Sequence, residues 1–510
     1  MPRGVSLVPF KTRHAKPAAK MRRGFGHRSR CSRSRAEITR APVRRAHPYV
    51  NAPRPLGKAL GRLGYDTCAD TFMDAVSTTE IPELNGRPLR SLTMAYASAH
   101  FGKSIFWYGS ESLFAFLLTE VAQLGPSAVG WVLCGSFLLS AMLDVVVGVL
   151  LKRRLSSAVS AAHLQFMGAL ATSAALMFLF AVPAMRPEAP LTLSAVAILL
   201  FRIAYAFIDI PQNAMLSSAV GTVADRAYLA AARLAGSGLA ALTVAGTVAS
   251  LVYSIEAMRA PLLLGLGIFM AIITFGACAM LYFAVRDNGR DPILPIQAKT
   301  SVMSLGREID SMAWLLIAAM FITSFASPVF TKLLPYYAAS HLLDPILGTI
   351  TISLISVGMV LGQPFWLRAL KDRSGPMKIT VTCLSISVTA ALFAAAGTGV
   401  AWSILPAALL FGVSSGGVGA ALWSAYGDVI ADTGAGNEGV AYGLFTASAK
   451  LSLAISAAGI GLLLEDSSFR EVTSSRLLLG MTLPAITAGL LTVLLLLLWR
   501  RRWESARPAA

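Results

Sequence analysis

Charged residues are scarce in this chain of 510 residues: only 14% are Asp, Glu, Lys or Arg, whereas 55% are hydrophobic. Soluble globular domains contain about 25% charged residues. The mean hydropathy is correspondingly high, at +0.64. This shortage of charge argues against an ordinary soluble protein and predicts an integral, multi-pass membrane protein.

Cysteine and histidine are also rare, with five and six residues. The cysteines are odd in number and far apart, and no CxxC or metal-ligand spacing occurs, so neither a disulfide framework nor a metal site is predicted. No HExxH motif or recognisable pairing of a nucleophile with a base is present. We therefore expect no enzyme and no cofactor.

Acidic residues are nearly missing from residues 1–62, which hold 17 of the 44 Lys and Arg residues but one acid, Glu37. This segment has no apolar periodicity and is predicted to be a disordered basic tail. Three explanations stay open: an organellar targeting segment, a cytoplasmic tail attracted to anionic lipid, or a downstream start codon at Met21, Met73 or Met94. We expect no nucleic-acid binding, since the tail lacks interleaved aromatic residues.

From about residue 95, apolar runs of about 20 residues alternate with short polar turns, which matches the ~30 Å hydrocarbon core of a bilayer. They predict an all-α membrane protein with twelve transmembrane helices: 98–122, 126–151, 158–183, 191–216, 228–254, 261–284, 312–336, 345–369, 378–399, 401–426, 440–464 and 475–499. The long connection near 285–311 divides them into two six-helix halves. We expect a linker at 63–94, bundles at 95–284 and 312–499, and a basic tail at 500–510.

Loop charge predicts the orientation. The turns after spans 2, 4, 6 and 8 and the C-terminal end are rich in Lys and Arg, whereas the turns on the other side hold single bases. By the positive-inside rule both termini are cytoplasmic, and we expect a plasma (inner) membrane protein. The turn between spans 10 and 11 departs from this trend, since it carries acids and no base.

Ionisable residues inside the predicted spans are the main functional signal, because such groups are costly in a bilayer and usually line a pathway. Asp209 lies in the fourth span, with Arg202 seven residues before it on the same helix face. Glu111, Asp144 and Lys450 are further examples. A static ion pair between Arg202 and Asp209 is one alternative, and an Asp144 that orients the basic turn after span 2 is another.

Parallel six-helix halves are typical of the major facilitator fold, with a central site at the membrane midplane. Within that fold, three segments resemble the glycoside–pentoside–hexuronide:cation symporters, the melibiose-permease-like family. They are YAFIDIPQNA (205–214), ADRAYLAAARLAGSG (224–238) and TGAGNEGVAYGLFTASAK (433–450). The resemblance covers roughly residues 95–465, and it implies a secondary transporter that carries a sugar together with a cation.

The resemblance also implies roles for individual residues. The family's sugar-contacting aspartate of span 4 corresponds to Asp209, and the tyrosine one turn earlier corresponds to Tyr205. The arginine of span 5 corresponds to Arg233. The lysine of span 11 corresponds to Lys450, with Thr446 one turn before it.

The chain departs from the family pattern in spans 1 and 2. The family's cation site has two aspartates four residues apart in span 2; here the second is Asp144 but the first is Ser140. A Lys-Asp pair in span 1 becomes Lys103-Ser104, and Glu111 on the same face is a candidate replacement for the missing acid. Sodium needs several oxygen ligands, whereas one buried carboxylate facing a lysine suffices for a proton. Proton coupling is therefore favoured over sodium coupling.

A family aromatic that stacks on the sugar is replaced by Asn213. Other aromatic residues in the spans are expected to pack or to lie at the membrane interface rather than to stack on sugar: Trp107, Tyr108, Trp423 and Tyr426. Glycines of span 10 are expected to allow close helix contact: Gly412, Gly416, Gly417 and Gly419.

The function predicted from the sequence is therefore a symporter of a sugar, glycoside or similar small hydrophilic solute, working as a monomer in the lipid bilayer by alternating access. A transporter of lipid-like or amphipathic cargo and a proton-coupled exporter are alternatives. A receptor or an intramembrane enzyme is a weaker one. Uptake that collapses with the proton gradient distinguishes a transporter from the last two.

Overall fold

The computed structural model describes residues 83–84, 87–116, 118, 125–185, 190–252, 256–286, 310–342, 344–433, 437–465 and 475–506. Three predicted segments lie wholly or mostly outside these residues: the N-terminal basic tail (1–62), the linker (63–94) and the connection at 285–311. Everything described belongs to one compact unit, residues 77–510.

Twelve long helices make up most of the described residues. They are α1 (Leu89–Phe116), α2 (Pro126–Leu150), α3 (Ala158–Met185), α4 (Pro190–Ser218), α5 (Val223–Val252), α6 (Glu256–Arg286), α7 (Ser311–Tyr337), α8 (Pro345–Ala369), α9 (Gly375–Gly397), α10 (Ile404–Thr433), α11 (Glu438–Glu465) and α12 (Ser475–Ala506). Three short helical segments join them at Lys152–Leu155, Ala338–Leu342 and Ala401–Ser403. An antiparallel pair of two-residue strands, β1 (Glu83–Leu84) and β2 (Arg87–Pro88), precedes α1.

Eleven of these helices, α2 to α12, are long and apolar enough to span a membrane, as judged over the described residues. They coincide with the second to twelfth predicted spans. The first predicted span, 98–122, overlaps α1, which begins earlier, at Leu89. In α1 several polar residues are buried against protein, including His100, Lys103 and Ser104, so the helix is less apolar than its neighbours. The expectation of an all-helical membrane protein is confirmed for the described residues.

Several helices begin where the sequence provides a cap. The Asp310 carboxylate accepts a hydrogen bond from the Met312 amide at the start of α7. The Asp344 carboxylate does the same for the amides of Ile346 and Leu347 at the start of α8. These carboxylates satisfy amides that have no partner within the first turn, and the negative charge favours the positive end of the helix dipole.

The helices form two halves that repeat one packing pattern. In the N-half, α1 packs against α5 and α6, and α3 packs against α4 and α6. In the C-half, α7 packs against α11 and α12, and α9 packs against α10 and α12. Each of these contacts therefore has its counterpart six helices later, as expected for two related six-helix bundles.

The halves meet mainly where α2 packs against α11 and α5 packs against α8. Glycine allows the closest of these approaches. A Cβ on Gly148 would overlap the backbone of Gly439, and a Cβ on Gly443 would overlap the backbone of Asp144. At the other end of the same pair, Gly130 faces the backbone of Gly461. The α2–α11 contact is therefore close along its whole length.

The two halves also touch at the end of the bundle where α1 begins and α12 ends, which we call the terminal face. Here α4 packs against α10 and α11, and α5 packs against α10. Arg226 at the start of α5 donates to the carboxylate of Asp428 in α10, 2.5 Å away. The bundle is closed at the terminal face by contacts between the halves.

Candidate functional site

Lys450 of α11 lies between two carboxylates of the other half. Its ammonium nitrogen is 2.7 Å from Oδ1 and 2.6 Å from Oδ2 of Asp144 in α2, and 3.0 Å from Oδ2 of Asp209 in α4. The side chains of Lys450, Asp144 and Asp209 are 7%, 0% and 8% exposed. A cation of the C-half is thus held by two acids of the N-half in the interior of the protein. Asp209 therefore pairs with Lys450 and not with Arg202.

The close packing of α2 on α11 brings Lys450 to Asp144. Gly439, Gly443 and Lys450 recur at spacings that keep them on one face of α11, and Asp144 and Gly148 share a face of α2. The glycines permit backbone contact, so the aspartate and the lysine meet directly. This pairing excludes the alternative in which Asp144 serves only the basic turn after α2.

A second network surrounds the other oxygen of Asp209. Lys103 Nζ of α1 donates to Asp209 Oδ1 at 2.8 Å and to Asn213 Oδ1 at 3.1 Å. Asn213 Nδ2 donates to Asp209 Oδ1 at 3.0 Å, and Arg233 of α5 donates to Asn213 Oδ1. We call Lys103, Asp144, Asp209, Arg233 and Lys450 the central charged cluster.

Aromatic side chains border this cluster. The Trp107 ring lies 5.3 Å from that of Tyr205, and its centroid is 5.2 Å from Lys450 Nζ. The Trp423 ring lies against the guanidinium of Arg233, 3.4 Å from its centre. Tyr426 packs instead, and its hydroxyl donates to the Ala441 carbonyl. Tyr426 therefore packs as expected from the sequence, whereas Trp107 and Trp423 contact charged residues of the site.

Two further predicted residues, Ser140 for cation coupling and Thr446 for substrate binding, make hydrogen bonds within their own helices. The Ser140 hydroxyl donates to the Ser136 carbonyl, and the Thr446 hydroxyl donates to the Tyr442 carbonyl, each within its own helix. Both are buried one turn from a member of the central charged cluster. They lie beside the site.

Glu111 does not join Lys103 as a replacement for the missing acid. Its Oε2 accepts from Lys332 Nζ of α7 at 3.3 Å, while Oε1 is buried and has no hydrogen-bond partner in the described part of the chain. Ser104, where the family has its acid, lies 3.2 Å from the hydroxyl of Ser237. The Glu111–Lys332 pair is a further ion pair between the halves.

Arg202 is buried in α4 with 2% exposure, but it does not contact Asp209. Its Nε donates to the hydroxyl of Ser136 at 3.0 Å, and its guanidinium lies over the ring of Trp107 at 4.7 Å. Neither terminal nitrogen of Arg202 has a hydrogen-bond partner among the described residues. The spacing of seven residues placed the two side chains on one face, but two helical turns separate them.

The close contacts predicted for the span 10 glycines are present. Gly412 and Gly416 lie against the backbone of α8, Gly417 lies against Trp366, and Gly419 lies against Leu234 of α5. No group of three or more His, Cys, Asp or Glu side chains suitable for a metal ion occurs in the described part of the chain.

Sequence reasoning included six of these side chains that the structure brings together: Lys103, Asp144, Tyr205, Asp209, Arg233 and Lys450. It did not assign Asn213, Trp107 or Lys332 to the site. Lys332 was detectable in principle, since it is a lone cation within the seventh span. Asn213 had a local signal too, because it lies one turn after Asp209 on the same face.

The family model described as "MFS/sugar transport protein" matches residues 95–504. Two solved structures share the fold with a TM-score of 0.60. One is a bacterial homologue of the iron transporter ferroportin in the outward-facing state, with 13% identity over 80% of this chain and 99% of that one. The other is the same kind of homologue with soaked iron, with 14% identity over 82% and 100%. None of the curated proteins matches the chain.

Proposed function

The chain belongs to the MFS/sugar transport protein family, and we propose that it is a proton-coupled symporter of a sugar, glycoside or similar small hydrophilic solute. The family establishes a multi-pass membrane transporter rather than an enzyme, in agreement with the sequence prediction of a major facilitator of the sugar:cation symporter type. The observation that carries the proposal is Lys450, held between Asp144 and Asp209 where the two halves meet.

The position of Lys450 favours a proton over sodium as the coupling ion. Its ammonium lies within hydrogen-bond distance of both carboxylate oxygens of Asp144. A sodium ion would have to displace this ammonium and then find further oxygen ligands, because Asp144 is the only acid of α2 at the site. A proton needs only one carboxylate oxygen.

Protonation would also change the contact between the halves. Neutralising Asp144 removes one of the two charges that hold Lys450 of the C-half, whereas Asp209 keeps Lys103 of its own half as a partner. The ion pair across the interface is thereby weakened while the N-half network stays intact. The two halves can then rock relative to each other, which is the basis of alternating access.

The hydrogen-bonding groups around Asp209 support a polar solute. Lys103, Asn213 and Arg233 provide donors and acceptors next to the indole rings of Trp107 and Trp423. A pyranose offers both hydroxyls and an apolar face, so it suits such a combination of polar and aromatic groups. No cofactor takes part in this scheme.

We place the protein in the plasma (inner) membrane with both termini cytoplasmic, because Lys and Arg are concentrated in the turns on that side. The terminal face is then the cytoplasmic one. Since α4 closes on α10 and α11 there, and α5 closes on α10, the structure corresponds to a state closed to the cytoplasm. One chain provides every residue of the central charged cluster, so a monomer suffices for the activity.

The proposal is tested with the purified full chain in proteoliposomes. The external pH is recorded while sugars and glycosides, both neutral and acidic, are added to the vesicles. Each addition is made with and without sodium. We expect alkalinisation outside with at least one solute, independence from sodium, and loss of the signal in Asp209→Asn. Asp432→Asn, an exposed acid at the end of α10, is the matched control and should behave like the wild type.

Two results would contradict the proposal. A signal that requires sodium would assign the coupling to that ion. No pH change with any sugar, together with binding of lysolipids or other amphipathic molecules, would move the cargo to the lipid-like class.

A further inference from the structure

An ion pair joins the two halves toward the end of the bundle opposite the terminal face, which we call the outer end. Glu111 of α1 lies eight residues beyond Lys103, about 12 Å further along the helix axis. Its carboxylate accepts from Lys332, near the far end of α7. We call Glu111 and Lys332 the outer pair. With Arg226 and Asp428 at the terminal face, the halves have an ion pair on each side of the central charged cluster.

The outer pair is not backed by helix packing. At the terminal face α10 packs against α4 and α5, so the pair of Arg226 and Asp428 lies beside close helix contacts. Among the described residues, α1 and α7 are not one of the helix pairs that pack closely. Two long side chains therefore bridge these helices at the outer end. The ring of Phe137 lies beside the bridge, 5.3 Å from Lys332 Nζ.

The part of α7 that carries Lys332 is suited to movement. Lys332 lies between two prolines within the helix, Pro328 and Pro335. Proline has no N–H to donate to the preceding turn, and helices bend at such positions. The outer part of α7 therefore has fewer backbone hydrogen bonds to resist a change of direction once its side chain is released.

The outer pair is also held weakly. Only Oε2 of Glu111 is bonded, at 3.3 Å, and Oε1 is buried without a partner among the described residues. Asp209, in contrast, has donors on both oxygens. The side chain of Lys332 is 34% exposed, so water can solvate its ammonium when the pair separates. Breaking such a pair costs far less than breaking a fully buried one.

The charges around Glu111 make its own charge decisive. Lys332 of α7 pairs with it, and Arg202 of α4 also attracts it electrostatically. The phenol of Tyr108, on α1 itself, is the remaining titratable neighbour. The described outer parts of two further helices packed on α1 contain no Asp, Glu, Lys, Arg or His: α5 (234–247) and α6 (261–270). Both charged neighbours are cations, so neutralising Glu111 ends the attraction that bridges the halves.

We propose that Glu111 is a second proton-binding site of the transporter, and that its protonation releases Lys332 and frees the outer end to open. The proton forms an O–H bond on the carboxylate, and Lys332 remains an ammonium that turns to solvent. The inference rests on the alternating access of the proposed function, but it does not depend on the identity of the solute.

A proton on Glu111 would act on the outer end alone. Asp144 lies deeper, in the central charged cluster, whereas the outer pair is in contact with solvent through Lys332. Acid outside would therefore open the side from which the coupling proton enters. By linkage, any condition that holds the outer end open favours protonation of Glu111 to the same extent.

The inference is tested with the full chain in lipid nanodiscs, without solute. The five native cysteines are replaced by alanine, and a cysteine replaces Ser140, which is buried on α2 between Phe137 and Asp144. Alkylation of this cysteine by N-ethylmaleimide is timed from pH about 8 down to about 4.5, close to where glutamates usually titrate.

Glu111→Gln removes the charge at every pH. It should speed alkylation about fivefold at the upper pH, as expected for a partly exposed ion pair. The ratio of the variant's rate to that of the wild type should fall toward one as the pH is lowered, because wild-type Glu111 then becomes neutral too. The ratio is compared because ionisation of the thiol affects both proteins alike.

Further variants make the test specific. Lys332→Gln should give the same acceleration, even if Glu111→Gln fails to fold, and the double variant should add nothing to either. Asp372→Asn, which removes an exposed charge just after α8, is the matched control and should react as the wild type does. With the cysteine placed instead at Ser424, near the terminal face, Glu111→Gln should not speed alkylation.

The outcomes separate this inference from the proposed function. Equal rates for wild type and Glu111→Gln at the upper pH, or a ratio that does not change with pH, would overturn it. Faster alkylation at both cysteine positions would also do so, because it would indicate a general loosening. Sodium coupling or a lipid-like cargo would refute the proposed function and leave the outer pair standing. Proton-coupled sugar uptake with a constant ratio would refute the Glu111 site alone.

Discussion

The contact between Asp144 and Lys450 provides the sharpest quantitative prediction. Replacing Lys450 by methionine removes the ammonium and leaves Asp144 without a charged partner among the described residues, since no other salt bridge reaches it. Asp209 keeps Lys103, 2.8 Å away. The energetic consequence should therefore fall almost wholly on Asp144.

The magnitude follows from burial. The side chains of Asp144 and Lys450 are 0% and 7% exposed, so little solvent screening applies. Removing one partner of such a pair costs about 3–5 kcal/mol, whereas replacing both partners by neutral groups is often close to neutral. Lys450→Met should lower the free energy of unfolding by that amount, and Lys450→Met/Asp144→Asn should recover most of it.

A matched double variant shows which acid matters. Lys450→Met/Asp209→Asn leaves Asp144 unpaired and also removes the partner of Lys103, so it should recover nothing. The assay is denaturant unfolding in mild detergent. Loss of helix is followed by circular dichroism at about 222 nm. Equal stability of the two double variants, or a Lys450→Met variant as stable as the wild type, would refute the reasoning. The rescued double variant should still lack proton-coupled uptake, because the titrating carboxylate is gone.

Three further outcomes are expected. Gly412→Ala places a methyl group on the α8 backbone and should destabilise the protein by about 1–3 kcal/mol in the same unfolding assay, whereas Gly135→Ala, with open space at its Cβ position, should cost nothing. Arg226→Ala and Asp428→Asn each remove the α5–α10 ion pair. Either variant should speed the alkylation of a cysteine introduced in place of Ser424. Unchanged alkylation rates in both variants would contradict the closed terminal face. Among the described native cysteines, only the half-buried Cys134 should react readily with maleimide, since the other two are buried; mass spectrometry after labelling checks this.

The spans were predictable because the bilayer imposes a length and a polarity on each helix. Apolar runs of about 20 residues and the turns between them located α2 to α12, and the long connection after α6 separated the halves. The first helix was the hardest to delimit. Several of its polar residues face protein, so hydropathy underestimates its length, and α1 begins at Leu89.

The sequence indicated which residues belong to the site, but not which of them pair. Ionisable residues within apolar runs are conspicuous in a sequence, and five of them form the central charged cluster. Their partners were not visible, because every pair joins different helices: Lys103 with Asp209, Asp144 with Lys450, and Glu111 with Lys332. Spacing along one helix instead suggested Arg202 with Asp209, which do not meet.

The sequence by itself determined the membrane class, the division into six plus six helices and the buried charges, since these depend on local composition and on the thickness of the bilayer. Only the tertiary structure decided which charge neutralises which. That choice depends on how closely the backbones of α2 and α11 approach, and glycines on both helices set this distance. The same packing left the terminal nitrogens of Arg202 unpaired. An unpaired buried cation becomes visible only when all its neighbours are in place, because a linear pattern contains the charges but not the distances between them.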